Sequence, residues 1–267
     1  MSNMSNRVKA CILRVGGTNC DLEVKLALEE LGVIAEIVHM KKLGKDGLSK
    51  YHMLIIPGGF SYGDYVRAGA ILGKEMVSRL RDQLIEFIEE NKLVMGICNG
   101  FQVLIEAGML PDEELTGIPK AALATNLSAK YECRWVWLRV ENNETPFTKK
   151  IKREQVLMMP VGHHEGRFTL SSEKDLDRLI KEKQIVFRYA SPNGNPANGK
   201  YPFNPNGSFY DIAGIVNKKG NILGLMPHPE RAFFSWQLPY EENKTKKYGD
   251  GRLIFEGAVE YVLNNFV

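Results

Sequence analysis

Apolar residues along the first half of the chain fall into two alternating rhythms. Short unbroken apolar runs at Lys9 to Val15, Val33 to Val38, Met53 to Ile56 and Leu93 to Ile97 have the length and β-branched content of strands buried on both faces. Between them, Asp21 to Leu31 reads as a helix closed by Gly32. Gly73 to Glu90 reads as a second, with Met76, Leu80, Leu84, Phe87 and Ile88 near helical spacing. A short helix follows Leu93 to Ile97 and reaches Ala107. Strand alternating with helix predicts a doubly wound α/β fold, a mostly parallel sheet with helices on both faces. In such sheets ligands bind beyond the carboxyl ends of the strands.

The second half has a different rhythm. Tyr131 to Val140 alternates, with Cys133, Trp135 and Trp137 on one parity. Glu154 to Met159, Ile185 to Ala190, Asp211 to Val216 and Asn221 to Leu225 read as further strands. Asn217 to Gly220 reads as a hairpin turn, which predicts antiparallel additions here. Arg252 to Asn264 closes the chain as a helix. A proline- and glycine-rich stretch, 191–208, joins the strands; no repeat or low-complexity run interrupts them. The expectation is a single domain over residues 1–267.

Composition narrows the class. An apolar content of 44% and a charged content of 25% are ordinary for a globular protein. The net charge of +3 is too small and too dispersed to imply nucleic acid or an anionic membrane. The paired acids Glu113-Glu114 and Glu241-Glu242 read as solvated surface. Cys11, Cys20, Cys98 and Cys133 show neither a disulfide framework nor a metal-ligand spacing, so a reducing cytoplasm and no metal are expected. The first six residues lack the apolar core of a signal peptide, and no apolar run reaches the roughly 18 residues of a membrane span.

The chemistry concentrates at Gly96-Ile-Cys98-Asn-Gly100-Phe-Gln102. A strand stops at Cys98 and helix-forming residues follow, with glycines two positions to either side, the spacing of a nucleophile elbow with sulfur in place of oxygen. The following helix turns its free N–H groups and partial positive charge toward the sulfur, which favours the thiolate. A thiolate nucleophile needs a base, and the base an orienter. Of the five histidines, His39 and His52 read as strand-end residues. His228 lies in Pro227-His228-Pro229-Glu230, just past a predicted strand. The prolines stiffen that backbone. Glu230, two residues on, points the same way in an extended chain and would take one imidazole nitrogen, leaving the other for the thiol.

These residues carry a resemblance. Cys98 in its Gly-Ile-Cys-Asn-Gly-Phe-Gln context, with His228-Pro-Glu230, resembles the class I glutamine amidotransferases. Pro57-Gly58-Gly59-Phe60-Ser61-Tyr62-Gly63-Asp64-Tyr65 narrows this toward the glutaminase subunits of phosphoribosylformylglycinamidine synthases. So do Asn204-Pro-Asn206-Gly-Ser208 and Asp211-Ile-Ala-Gly-Ile215, and the similarity runs from about Lys9 to the C-terminus. It implies Cys98, His228 and Glu230 as catalytic residues, and Gly59 and Asn99 as backbone donors of an oxyanion hole. It further implies L-glutamine as substrate, contacted by Gln102, with His163 and Glu165 as candidate contacts. Where the family keeps His-Gly-Glu-Gly, this chain has His163-His164-Glu165-Gly166, placing a side chain where bare backbone is usual. Asp64 and Arg67 would either form a surface ion pair or fix the Gly59 loop.

No G-x-x-x-x-G-K-[ST] occurs, so no cofactor is expected in this chain. The resemblance places ATP and Mg on a large synthetase subunit, often joined by a small third subunit. Ammonia would pass to that partner without meeting water. A free-standing thiol hydrolase of γ-glutamyl compounds or peptides would use the same residues, and a non-catalytic regulatory subunit would not keep Cys98, His228 and Glu230 intact.

Overall fold

Residues 8–44, 47–239 and 247–267 are described by the computed structural model. Glu241 and Glu242, read above as surface, and the first six residues lie outside them. In chain order the strands begin with β1 (Lys9–Arg14), β2 (Ile34–His39), β3 (Met53–Ile56), β4 (Leu93–Ile97), β5 (Ala121–Thr125) and β6 (Glu132–Val140). They continue with β7 (Val156–His163), β8 (Glu165–Leu170), β9 (Ile185–Ala190), β10 (Ile212–Val216) and β11 (Ile222–Leu225). The helices are α1 (Asp21–Glu30), α2 (Ala70–Glu89), α3 (Asn99–Glu106), α4 (Glu173–Lys181) and α5 (Arg252–Phe266).

Nine strands form one sheet in the order β2-β1-β3-β4-β11-β10-β9-β6-β7, and β5 pairs with β8 separately. The pairs from β2 to β11 are parallel, and those from β11 to β7 antiparallel. This is the expected α/β sheet with antiparallel additions in the second half, its four parallel pairs joined by four antiparallel ones. β3, β4 and β11 are buried along their whole length, which is why they read as unbroken apolar runs. α1 packs with α5, and α2 with α3. α2 buries Leu72, Met76, Leu80, Leu84, Phe87 and Ile88. Each such side chain stabilises the fold by about 1.5–3 kcal/mol. No helix among the described residues is long and apolar enough to cross a membrane.

The register fixes where the chemistry sits. Ile56 pairs with Gly96, and Gly96 with Gly224, so β3, β4 and β11 end side by side. Gly58-Gly59, Cys98 and His228 each follow one of these ends.

Four elements depart from the expected pattern. β5 and β8 went unread because Ala-Ala-Leu-Ala-Thr and Glu-Gly-Arg-Phe-Thr-Leu carry few β-branched residues. α4 went unread because its nine residues hold mostly charges; its real signal is Ser172, whose side chain caps the helix by accepting from Asp175 N. β7 starts two residues later than the expected Glu154 and runs past Pro160 to His163. A proline is tolerated there because β7 is the edge of the sheet, where one missing N–H breaks no ladder.

Candidate active site

Cys98 sits between β4 and α3 with φ 51° and ψ −107°, a strained backbone for a residue with a side chain. Two close approaches hold it there. A Cβ on Gly100 would lie 1.8 Å from Ile56 O, and one on Gly96 would lie 2.5 Å from Gly100 O. Only glycines let the helix start so near β3 and β4. Cys98 N donates to Leu225 O at 2.8 Å, pinning the elbow to β11. The thiol is buried and lies 3.5 Å from Gly162 O, which the extension of β7 brings to it.

His228 and Glu230 are fully enclosed. His228 Nδ1 and Glu230 Oε1 are 2.6 Å apart. His228 Nε2 is buried and has no hydrogen-bond partner among the described residues. Burial opposes charge on the imidazole, but the Glu230 carboxylate and the Cys98 sulfur outweigh it and raise its pKa well above the ordinary value. Its backbone N donates to Pro160 O at 2.9 Å, and Gln237 Nε2 donates to Glu230 O at 2.8 Å. Arg231 forks onto Glu23 at 3.0 and 3.2 Å, clamping the loop to α1. That clamp explains a neighbour the sequence did not suggest. Cys20, at the start of α1, places Sγ 4.0 Å from His228 Nδ1.

The Gly59 loop is riveted to α3. Gly59 has φ 143°, and a Cβ there would lie 2.5 Å from Gly17 O. Phe60 N in turn donates to Gly17 O. Tyr62, Asp64 and Val66 also hold positive φ, a rare state for a β-branched residue such as Val66. Asn99 locks this loop from the elbow side. Its Oδ1 accepts from Ser61 N at 3.1 Å, and its Nδ2 donates to Asp64 Oδ1 at 3.1 Å and Gln102 Oε1 at 2.9 Å. Arg67 forks onto Glu106 at 2.6 and 2.7 Å, so of the two readings open for Asp64 and Arg67 the structure shows the second, each residue reaching α3 and tying down the Gly59 loop. Burial and the nearby Glu165 charge push the Asp64 carboxyl up to about 6.

Gln102 donates to Glu165 O, so both ends of its amide are held by protein. Glu165 Oε2 accepts from Ala68 N at 3.1 Å. His163 is buried between Asn126 Oδ1 at 3.2 Å and Asn206 Nδ2 at 3.5 Å. Burial and the His228 charge depress it to about 3, so it is a neutral structural imidazole. His164 points outward and is exposed, while its carbonyl accepts from Asn126 N. The substituted glycine position therefore puts no side chain into the site.

Asn126 and Asn206 were not singled out for roles by the sequence. Asn206 donates to Gly166 O at 2.8 Å and Tyr189 Oη at 3.2 Å. The Asn204-Pro-Asn206 motif was the only signal for Asn206, and Asn126 had none. The 191–208 stretch is ordered by Asp211, which accepts from Asn198 N, Gly199 N and Asn204 Nδ2. A cleft of about 170 Å³ lined by Glu141, Arg153, Lys183, Arg188 and Tyr210 contains none of the candidate residues.

Residues 7–262 match the CobB/CobQ-like glutamine amidotransferase domain, and the chain belongs to that family. Within it, the chain is 46% identical to the phosphoribosylformylglycinamidine synthase subunit PurQ of Archaeoglobus fulgidus, covering 96% of this chain and 97% of that one. It is 42% identical to the protein of the same name from Methanococcus maripaludis, over 95% and 97%. The solved structure of PurLQS from Thermotoga maritima contains a chain that superposes with a TM-score of 0.71 at 33% identity, covering 96% of this chain and 99% of that one. The resemblance read from the motifs therefore holds over nearly the whole length.

Proposed function

We propose that this chain is the glutaminase subunit of a phosphoribosylformylglycinamidine synthase. The full-length likeness to relatives of that name carries the reading. Cys98 attacks the side-chain amide of L-glutamine. The resulting oxyanion is stabilised by the N–H groups of Gly59 and Asn99, the latter at a helix N-terminus where N–H groups lack intrahelical partners. His228, oriented by Glu230, takes the Cys98 thiol proton and hands it to the departing ammonia. A γ-glutamyl thioester remains on Cys98. Water, deprotonated by His228, attacks it and releases glutamate and the thiol. The balance is glutamine and water in, glutamate and ammonia out.

His163 does not compete as the base, since both of its nitrogens are occupied by asparagines. Gln102 and Glu165 bound the substrate side of the pocket, with Gln102 bracing it through Asn99. Ammonia passes to a large synthetase subunit that carries ATP and Mg, in a complex with a small third subunit. There it converts formylglycinamide ribonucleotide to formylglycinamidine ribonucleotide on the route to purines. The chain works as a single glutaminase domain in the cytoplasm.

The test is glutamate release from glutamine by wild type and Cys98→Ala, with and without the synthetase partner. Turnover should rise on adding the partner and fall by at least about 10³-fold in the mutant. Equal turnover without a partner, extending to other γ-glutamyl compounds, would instead establish a free-standing hydrolase.

A further inference from the structure

The triad histidine has a second sulfur beside it. Cys20, His228 and Glu230 each offer a ligand atom, and these atoms lie within 4.8 Å of one another. All three residues are at least 98% buried, with relative exposures of 2%, 2% and 1%. Glu230 also keeps Oε2 buried without a hydrogen-bond partner among the described residues. Cys20 has no part in the glutaminase steps above. Burial pushes its thiol up, the His228 hydrogen bond only partly offsetting this. A buried thiol, imidazole and carboxylate on rigid backbone are the donor types that zinc-class cations select.

We propose that Cys20, His228 and Glu230 form a site for a thiophilic divalent cation of the zinc class, and that its occupancy switches the glutaminase off. Zinc holds sulfur at about 2.3 Å and nitrogen or oxygen at about 2.0–2.2 Å. Tetrahedral angles then require donor separations of roughly 3.3–3.6 Å. Cys20 Sγ to His228 Nδ1 is 4.0 Å, and Nδ1 to Glu230 Oε1 is 2.6 Å. The first must contract and the second open, each by less than about 1 Å. Three protein ligands leave a fourth position for water. The cation enters, and the Cys20 thiol proton and the proton shared by Nδ1 and Glu230 leave; no electron moves. With Nδ1 bound to the metal, Nε2 keeps its proton, but Glu230 no longer orients the imidazole or balances its charge, so Nε2 no longer cycles that proton to the departing ammonia. Mg²⁺, which prefers oxygen donors and gives up water reluctantly, should not compete.

The inhibitory half rests on the function proposed above; the binding half does not, and the two are measured separately. Co²⁺ serves as a spectroscopic probe on the full chain, whose thiolate-to-metal charge-transfer band reports sulfur ligation without turnover. The band should persist in Cys98→Ala, vanish in Cys20→Ser, and be displaced by Zn²⁺ but not by Mg²⁺. Calorimetry should show one Zn²⁺ per chain, bound at least tenfold more weakly by Cys20→Ser. Cys20→Ala provides a second variant, with circular dichroism confirming the fold of each. A band that survives in both Cys20 variants and is lost in Cys98→Ala overturns the site, as does the absence of any band. In the assembled complex, glutamate release should fall with Zn²⁺ and return with a chelator, and the Cys20 variants should need at least tenfold more Zn²⁺. Equal sensitivity of wild type and the Cys20 variants overturns the switch. Loss of the cobalt band bears on the cation site alone, whereas failure of glutamine turnover bears on the triad alone.

Discussion

The parallel and antiparallel halves of the sheet contribute to the site in opposite ways. The parallel half, β2 to β11, delivers Gly59, Cys98 and His228 through backbone: three aligned strand ends and glycines that allow close approach. The antiparallel half, with the β5–β8 ribbon, delivers almost no chemistry of its own. It supplies the Gly162 carbonyl beside the thiol, the Glu165 carbonyl beneath Gln102, and a lattice of asparagines behind His163. One half positions the proposed reacting groups by steric fit, and the other braces them by hydrogen bonds. Errors in the first should be costly and indivisible, whereas errors in the second should be graded.

Gly100→Ala tests the steric half at its tightest point. Its Cβ would meet Ile56 O at 1.8 Å, a backbone atom that no rotamer can move aside. Overpacking of this kind should cost about 3 kcal/mol, near the top of the usual range, and displace Cys98 with it. Urea unfolding and glutamate release should therefore fall together. A stable, fully active Gly100→Ala would show that α3 does not need this approach. Asn206→Ala tests the bracing half. It strips partners from Gly166 O and the buried Tyr189 hydroxyl, and removes the acceptor of Ser208. The expected loss is about 2–3 kcal/mol, with KM for glutamine rising more than kcat falls. If kcat collapsed instead, the asparagine lattice would belong to the chemistry and the contrast between the halves would fail.

The same contrast explains what the sequence disclosed. β3, β4 and β9 were legible to the residue because strands buried on both faces read as near-continuous apolar runs, broken here only by Arg188 in β9. Cys98 and His228 were legible because glycines and prolines mark sharp strand exits. Cys20 was not, since its place beside His228 comes from the Arg231–Glu23 clamp between segments 208 residues apart. Nor was the Arg67–Glu106 pairing, because a charged residue near Asp64 in sequence offers a local partner that the loop's positive-φ turns direct elsewhere. β8 was hidden by a composition that suits a ribbon partly covered on each face rather than a core strand.

Asp64 sits where the halves meet, bonded to Asn99 on one side and facing the Glu165 charge on the other. Its folded pKa of about 6 exceeds the ordinary 3.8. The folded chain therefore keeps a proton that the unfolded chain has already released between those values. Stability from this group is intact at and below the unfolded value and is lost as pH rises through about 6. Asp64→Asn keeps an oxygen for Asn99 and removes the charge. It should flatten the decline in urea midpoint between about pH 4 and 7, an effect moderated because the carboxyl is only half-buried. An unchanged slope would mean that neither burial nor the Glu165 charge raises the Asp64 carboxyl in the folded chain.

The smallest expected effect is also the sharpest check on the antiparallel half. His164 replaces a small residue in the family pattern, which on sequence alone threatens the glutamine pocket. The structure turns its side chain to solvent at the bend between β7 and β8 and uses only its carbonyl, which accepts from Asn126 N. Any residue with a backbone carbonyl can make that bond. His164→Ala should therefore shift stability by no more than about 0.5 kcal/mol and leave KM for glutamine unchanged in the assembled enzyme. If KM fell several-fold, the imidazole must turn inward when the partner docks. The bend would then be a moving part of the pocket, and bracing by hydrogen bonds would describe the free chain only.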